Sequence, residues 1–131
     1  MSEEIKRREK SPVEEFRRER ERLNSIVLRR GKENIKKFFT LDAAVYKEGA
    51  LSAKTKELLG LTASLVLRCD DCILYHLIRC YEEKVTDQEV EEAFSVALVV
   101  GGSIVIPHLR RASGSWEELK EKGLSREGGQ P

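Results

Sequence analysis

"KTKELLGLTASLVLRCDDCILYH", residues 54–76, decides the fold. From Leu58 to Leu67 it carries no charge, and it lacks the apolar–polar alternation of a half-buried strand. Ser52, just ahead, can cap a helix over roughly 53–68. A helix that is apolar on nearly every side belongs at the centre of a bundle or against a second subunit. A further helix opens near Asp70 and runs to about Lys84, with Cys69 at its mouth and Asp70 and Asp71 in its first turn.

Helical signals continue outward from this pair. Ser11 and Pro12 read as N-cap and first residue of a helix reaching Arg30, with Gly31 as its stop. Its inner face would be Val13, Phe16, Leu23, Ile26 and Val27. A helix from about Glu33 to Lys47 follows, with Ile35, Phe38, Phe39, Leu41, Ala44 and Val45 on its apolar side and Gly49 beyond its end. Thr86 and Glu89 form a capping box for a helix from Asp87 to about Val100, broken or kinked at Gly101-Gly102. A piece near 103–112 holds Pro107 in an early turn or at a kink, and "SWEELKEK", 115–122, reads as a short last helix. The expectation is an all-α bundle of about six helices in a single domain over 1–131. It has a charged N-terminal helical segment to about residue 31 and a frayed tail from about 123.

Composition narrows the partners. Charged residues make up 36 % of the 131, yet the net charge is only +1. Residues 1–22 hold eight Lys/Arg against seven Glu, a mixed and solvated segment. Nucleic acid as a partner would call for a clear basic excess or stripe, so none is expected. The opening "MSEEIKRREK" has no apolar signal region, and the longest uncharged run, Ala93 to Pro107, is too short to span a bilayer comfortably. The expectation is a soluble, cytoplasmic protein with no membrane partner. Three cysteines do not make an extracellular disulfide framework. In a reducing cytosol a close pair is more often catalytic or metal-binding than a permanent staple.

The pair in question is Cys69 and Cys72, with His76 one turn further on. A thiolate at a helix mouth meets unpaired N–H groups and partial positive charge, which lower its pKa. A separation of three brings two sulfurs within reach of each other. His76 could exchange a proton with Cys72. Asp70 and Asp71, expected to point outward, suit the helix dipole but oppose a neighbouring thiolate. Two other readings stay open here. Cys69, Cys72, His76 and Cys80 are zinc-type ligands, although one rigid helix rarely wraps a tetrahedral ion, or the cysteines simply pack. Glu57, the last carboxylate before the apolar run, reads from pattern alone as a helix-start residue; the alternative is a buried proton carrier. His108 reads as a surface or interface histidine, Cys80 as a small core residue, and Tyr75 and Tyr81 as packing.

Taken together, Glu57, Cys69, Cys72 and His76 fit a glutamate followed at about a dozen residues by C-x-x-C-x-x-x-H. This resembles the alkyl hydroperoxidase D-like branch of the carboxymuconolactone decarboxylase superfamily. The likeness covers roughly residues 40–112 and extends through "VTDQEVEEAFSVALVVGG", 85–102. It implies an all-helical fold assembled as trimers or hexamers, and a thiol–disulfide oxidoreductase that supports antioxidant peroxidase activity without a bound cofactor or metal. By the same resemblance, Cys69 and Cys72 are the redox pair and Glu57 and His76 the proton relay. Electrons would come from a dithiol such as dihydrolipoamide and pass to a peroxiredoxin or to peroxide. Some members carry a histidine directly before the second cysteine; here that residue is Asp71. The alternatives are cofactor-free decarboxylase-type or lactone chemistry by Glu57 and His76, and a non-catalytic or zinc-binding helical oligomer.

Overall fold

A computed structural model describes residues 11–124. Among them are six α-helices and no strand: α1 Pro12–Arg30, α2 Glu33–Val45, α3 Ala53–Leu67, α4 Asp70–Glu82, α5 Asp87–Gly101 and α6 Ile106–Lys122, with a 3₁₀ turn Ser103–Val105 before the last. The chain divides into two compact units, one reaching Val45 and taking in the end from Lys122, the other spanning Tyr46–Glu121. The expected tail lies, from residue 125 on, outside the described residues.

Local caps account for most boundaries. Ser11 accepts from the Glu14 N–H, Ser52 from Thr55 and Thr86 from Glu89, so each helix start satisfies a backbone donor that has no partner within the helix. The capping box at Thr86 and Glu89 is complete. Glu89 also meets Lys54 at 2.8 Å, tying the start of α3 to that of α5. The hydrogen bond from Lys54, then that from the Thr86 backbone, pull the Glu89 carboxyl down to about 2. Gly102 ends α5 with φ of 81°, a conformation that side chains rarely adopt.

In the Tyr46–Glu121 unit α3 is central, packed on both α4 and α5. Leu61, Leu65, Leu77, Ala97 and Leu119 are fully buried there, with Ile73, Val90, Phe94 and Trp116 nearly so. At about 25 cal/mol per Å² of apolar surface removed from water, these side chains dominate the unit's stability.

Two expectations are corrected. The separate pieces at 103–112 and 115–122 are, from Ile106 on, one helix, α6, which runs through Ser113-Gly114-Ser115. Gly114 costs about 1 kcal/mol relative to alanine. Burying Ala112, Trp116 and Leu119 on a single face outweighs that, with the Trp116 indole N–H donating to Asp87 at 2.9 Å. Pro107 sits second in the helix, where its missing N–H costs no intrahelical bond. The predicted inner faces of α1 and α2 are also largely uncovered. Of the α1 set only Val13 is buried, and α2 buries no residue at all. Phe38 is 66 % exposed and Leu41 60 %. The helix periodicity was real, but it does not say what covers a face.

Candidate active site

The corner between α3 and α4 sets the cysteines in place. Arg68 closes α3 in the left-handed conformation, φ 60°, which costs a side-chain-bearing residue about 1 kcal/mol. In return the Arg68 N–H reaches the Leu65 carbonyl and the Cys69 N–H the Ser64 carbonyl, so two carbonyls of the last turn of α3 are satisfied. The chain turns within two residues and Cys69 becomes the N-cap of α4. Its sulfur accepts from the Cys72 N–H at 3.3 Å. Cys69 and Cys72 form a disulfide, their Cα atoms 5.3 Å apart. Cys72 is an exposed residue and Cys69 a half-buried one.

One turn beyond Cys72, His76 points into the interior and meets Glu57. The ring Nδ1 lies 2.9 Å from Glu57 Oε1. Glu57 is 1 % exposed, a carboxylate inside the unit's apolar layer. Its other oxygen faces Arg79 Nε at 3.4 Å. A carboxylate can only accept, so Nδ1 carries the proton, and Nε2 is left to accept from the Tyr46 hydroxyl at 3.4 Å. Among the described residues neither ring nitrogen hydrogen-bonds a sulfur. Burial works against the Arg79 cation, but its hydrogen bond to Glu82 and the charges of Glu57 and Glu83 outweigh this and hold it protonated.

The ring fits because α3 has no side chain at Gly60. A Cβ there would lie 2.6 Å from His76 Cε1 and 2.8 Å from each ring nitrogen. Tyr46 and Tyr75 flank the ring with centroids 5.3 and 5.2 Å away. Tyr46 and Gly60 were missed by sequence reasoning. Gly60 had left a trace, since glycine inside a helix is costly and invites a packing reason. Tyr46 had left none: it lies in a turn thirty residues before His76.

Of the sequence-derived candidates, Glu57 and His76 are brought into contact, and Cys69 and Cys72 are bonded to each other. Cys80 is fully buried. Burial, then the Glu57 charge, push its thiol up to about 12, so it stays protonated and inert. Among the described residues no group of three or more His, Cys, Asp or Glu side chains is arranged to hold a metal ion. His108 is not a bare surface histidine: its Nδ1 lies 2.8 Å from Asp70 Oδ1. No helix among the described residues is long and apolar enough to cross a membrane.

Two crystal structures of TM1620 from Thermotoga maritima are 62 % identical to the chain and cover 82 % of it. Their TM-scores are 0.81 and 0.79, over 95 % and 91 % of their own lengths. In one of them TM1620 is described as a carboxymuconolactone decarboxylase family protein "possibly involved in antioxidative response". Apo-lpg0406 of Legionella pneumophila, a protein of the same family, is 25 % identical with a TM-score of 0.72, over 86 % of this chain and 97 % of that one. An uncharacterized protein in the cox locus of Paracoccus denitrificans is 28 % identical over 82 residues, 63 % of this chain and 74 % of that protein. An uncharacterized Cupriavidus necator protein, H16_B0147, is 29 % identical over 59 residues, 45 % of this chain, and that match spans about half of the relative (52 %). The family model for carboxymuconolactone decarboxylases matches residues 33–113, from the start of α2 into α6 and across every candidate residue above, and the chain belongs to that family.

Proposed function

We propose that the protein is a thiol–disulfide oxidoreductase whose Cys69–Cys72 pair passes electrons from a dithiol toward peroxide. The observation that carries this is the disulfide at the N-cap of α4, with exposed Cys72 on its open side. A donor thiolate attacks the Cys72 sulfur; the S–S bond breaks and Cys69 leaves as a thiolate. That leaving group is the sulfur already held by the Cys72 N–H, at the positive end of the helix. The donor's second thiol then attacks the mixed disulfide, leaving an oxidised donor and a Cys69–Cys72 dithiol. In the return half-cycle the dithiol gives up two electrons and two protons. An organic hydroperoxide becomes an alcohol and water, or a peroxiredoxin disulfide becomes a dithiol.

The Glu57–His76–Tyr46 chain is suited to manage the protons. Glu57 fixes the tautomer, and Nε2, now accepting from the Tyr46 hydroxyl, is the nitrogen that would take up a proton when that hydroxyl turns away. A dihydrolipoamide-type dithiol fits the donor role, and a reducing cytoplasm is where such donors are supplied. The reading also includes a homo-oligomer, a trimer or hexamer as in similar proteins. In its support, Val99 on α5 is 85 % exposed, and Ile35, Phe38, Leu41 and Val45 on the apolar side of α2 are exposed.

Either single variant, Cys69→Ser or Cys72→Ser, is expected to lose dihydrolipoamide-dependent reduction of an alkyl hydroperoxide altogether, with helicity by circular dichroism unchanged. Peroxide reduction that persists in both variants would remove the proposal. Turnover of a lactone that survives loss of both cysteines would favour acid–base chemistry by Glu57 and His76 alone.

A further inference from the structure

We propose that Asp70, His108 and Arg111 form a charge clamp at the mouth of α4 that sets how readily the reduced Cys69–Cys72 pair ionises. The inference deepens the redox reading above and rests on it. Asp70 is the first residue of α4 and follows Cys69 directly in the chain. A bare carboxylate there opposes a thiolate at the N-cap. It is not bare: Oδ1 accepts from His108 Nδ1 at 2.8 Å and Oδ2 from Arg111 at 3.1 Å, both from α6. His108 Nδ1 also lies 3.2 Å from the Arg111 guanidinium. A nitrogen that donates to Asp70 cannot accept as well, so the carboxylate is what holds the guanidinium.

Burial tends to raise the Asp70 carboxyl, but the hydrogen bonds from His108 and Arg111 more than offset it and keep it ionised. The side chains of Asp70 and Arg111 are 48 % and 59 % exposed, so the pair contributes little to folding. Asp71, the other acid of the first turn, has no ion pair among the described residues. The clamp thus offsets the charge of Asp70, the neighbour of the N-cap residue in the chain, and leaves Asp71 alone. The disulfide is uncharged, so the clamp acts on the reduced state. Two electrons and two protons convert the disulfide to the dithiol, and the clamp governs the later loss of one proton to give the nucleophile. Asp70 and Arg111 are positioning residues in this sense; neither touches the transferred electrons.

A merely structural clamp would make both partners' variants err in the same direction. A charge clamp makes them err in opposite directions. The test is the rate of iodoacetamide alkylation of the fully reduced protein, at a pH below the thiol's midpoint. Arg111→Gln removes the cation from Asp70 and is expected to slow the reaction about threefold, the effect of one nearby unit charge in a largely aqueous setting. Asp70→Asn is expected to speed it by about the same factor, and the double variant to return near the wild-type rate. Equilibration with a dithiol buffer should show Asp70→Asn more oxidising and Arg111→Gln more reducing. Thermal melts confirm that each variant is folded. Both rates falling together, or neither changing, overturns the clamp. Alkylation needs no turnover, so the two ideas fail separately: a protein that forms no reversible disulfide but shows the opposed rates keeps the clamp and loses the redox reading.

Discussion

Glu57→Ala is expected to lower the stability of the protein by about 3 kcal/mol and its melting temperature by roughly 10 °C, measured by thermal or urea unfolding. Glu57 is 1 % exposed and is held by His76 and Arg79. Removing one member of a buried pair costs about 3–5 kcal/mol in general. The lower end applies here for two reasons. His76 keeps Tyr46 at 3.4 Å, and Arg79 keeps Glu82 at 2.8 Å and Glu83 at 3.1 Å. Glu57→Gln separates folding from chemistry. The amide oxygen still accepts from Nδ1 and fills the same space, so the cost falls to about 1 kcal/mol. The carboxylate at the head of the Glu57–His76–Tyr46 chain is gone, however, and dithiol-dependent peroxide reduction should drop about a hundredfold, the usual worth of a positioned acid or base. A Glu57→Gln protein of wild-type activity would mean that the carboxylate only holds the core together.

Gly60→Ala is the second large effect. On propensity alone alanine would stabilise the middle of α3 by about 1 kcal/mol. The added Cβ would stand 2.6 Å from His76 Cε1, so the ring must move. It has little room, since Glu57 holds Nδ1, Tyr46 holds Nε2 and Tyr75 stands against the ring. The variant is expected to lose the Glu57 hydrogen bond, to be net destabilised by about 1–3 kcal/mol, and to lose activity as severely as Glu57→Gln. Far-ultraviolet circular dichroism should still show the full helix content. A Gly60→Ala protein that melts higher and turns over normally would show that the ring does not depend on that space.

These two residues mark where sequence reading reaches and where it stops. Caps are local and were legible: Ser11, Ser52 and the Thr86/Glu89 box each start a helix at the expected residue. Cys69 at the mouth of α4 was legible for the same reason, since an N-cap is fixed by its next three residues. The Glu57–His76 contact was not written in periodicity. It emerged only from a spacing pattern shared with a known family, because nineteen residues and a left-handed turn at Arg68 separate the two. Tyr46 was invisible, a turn residue whose role depends on tertiary placement. The division of α6 into two pieces did not survive, because the helix cost of Gly114 is small beside the burial of Trp116 and Leu119. The apolar side of α2 was legible as a pattern, but a pattern does not name its partner.

The most direct measurement is the thiol count and peptide map of wild-type protein after equimolar alkyl hydroperoxide, and again after dihydrolipoamide, with alkylation in denaturant. The account predicts one free thiol after peroxide, on Cys80, with Cys69 and Cys72 joined in a single peptide cross-link, and three free thiols once the dithiol is added. Three free thiols at both stages, or a Cys69–Cys72 bond that no dithiol reduces, would contradict it.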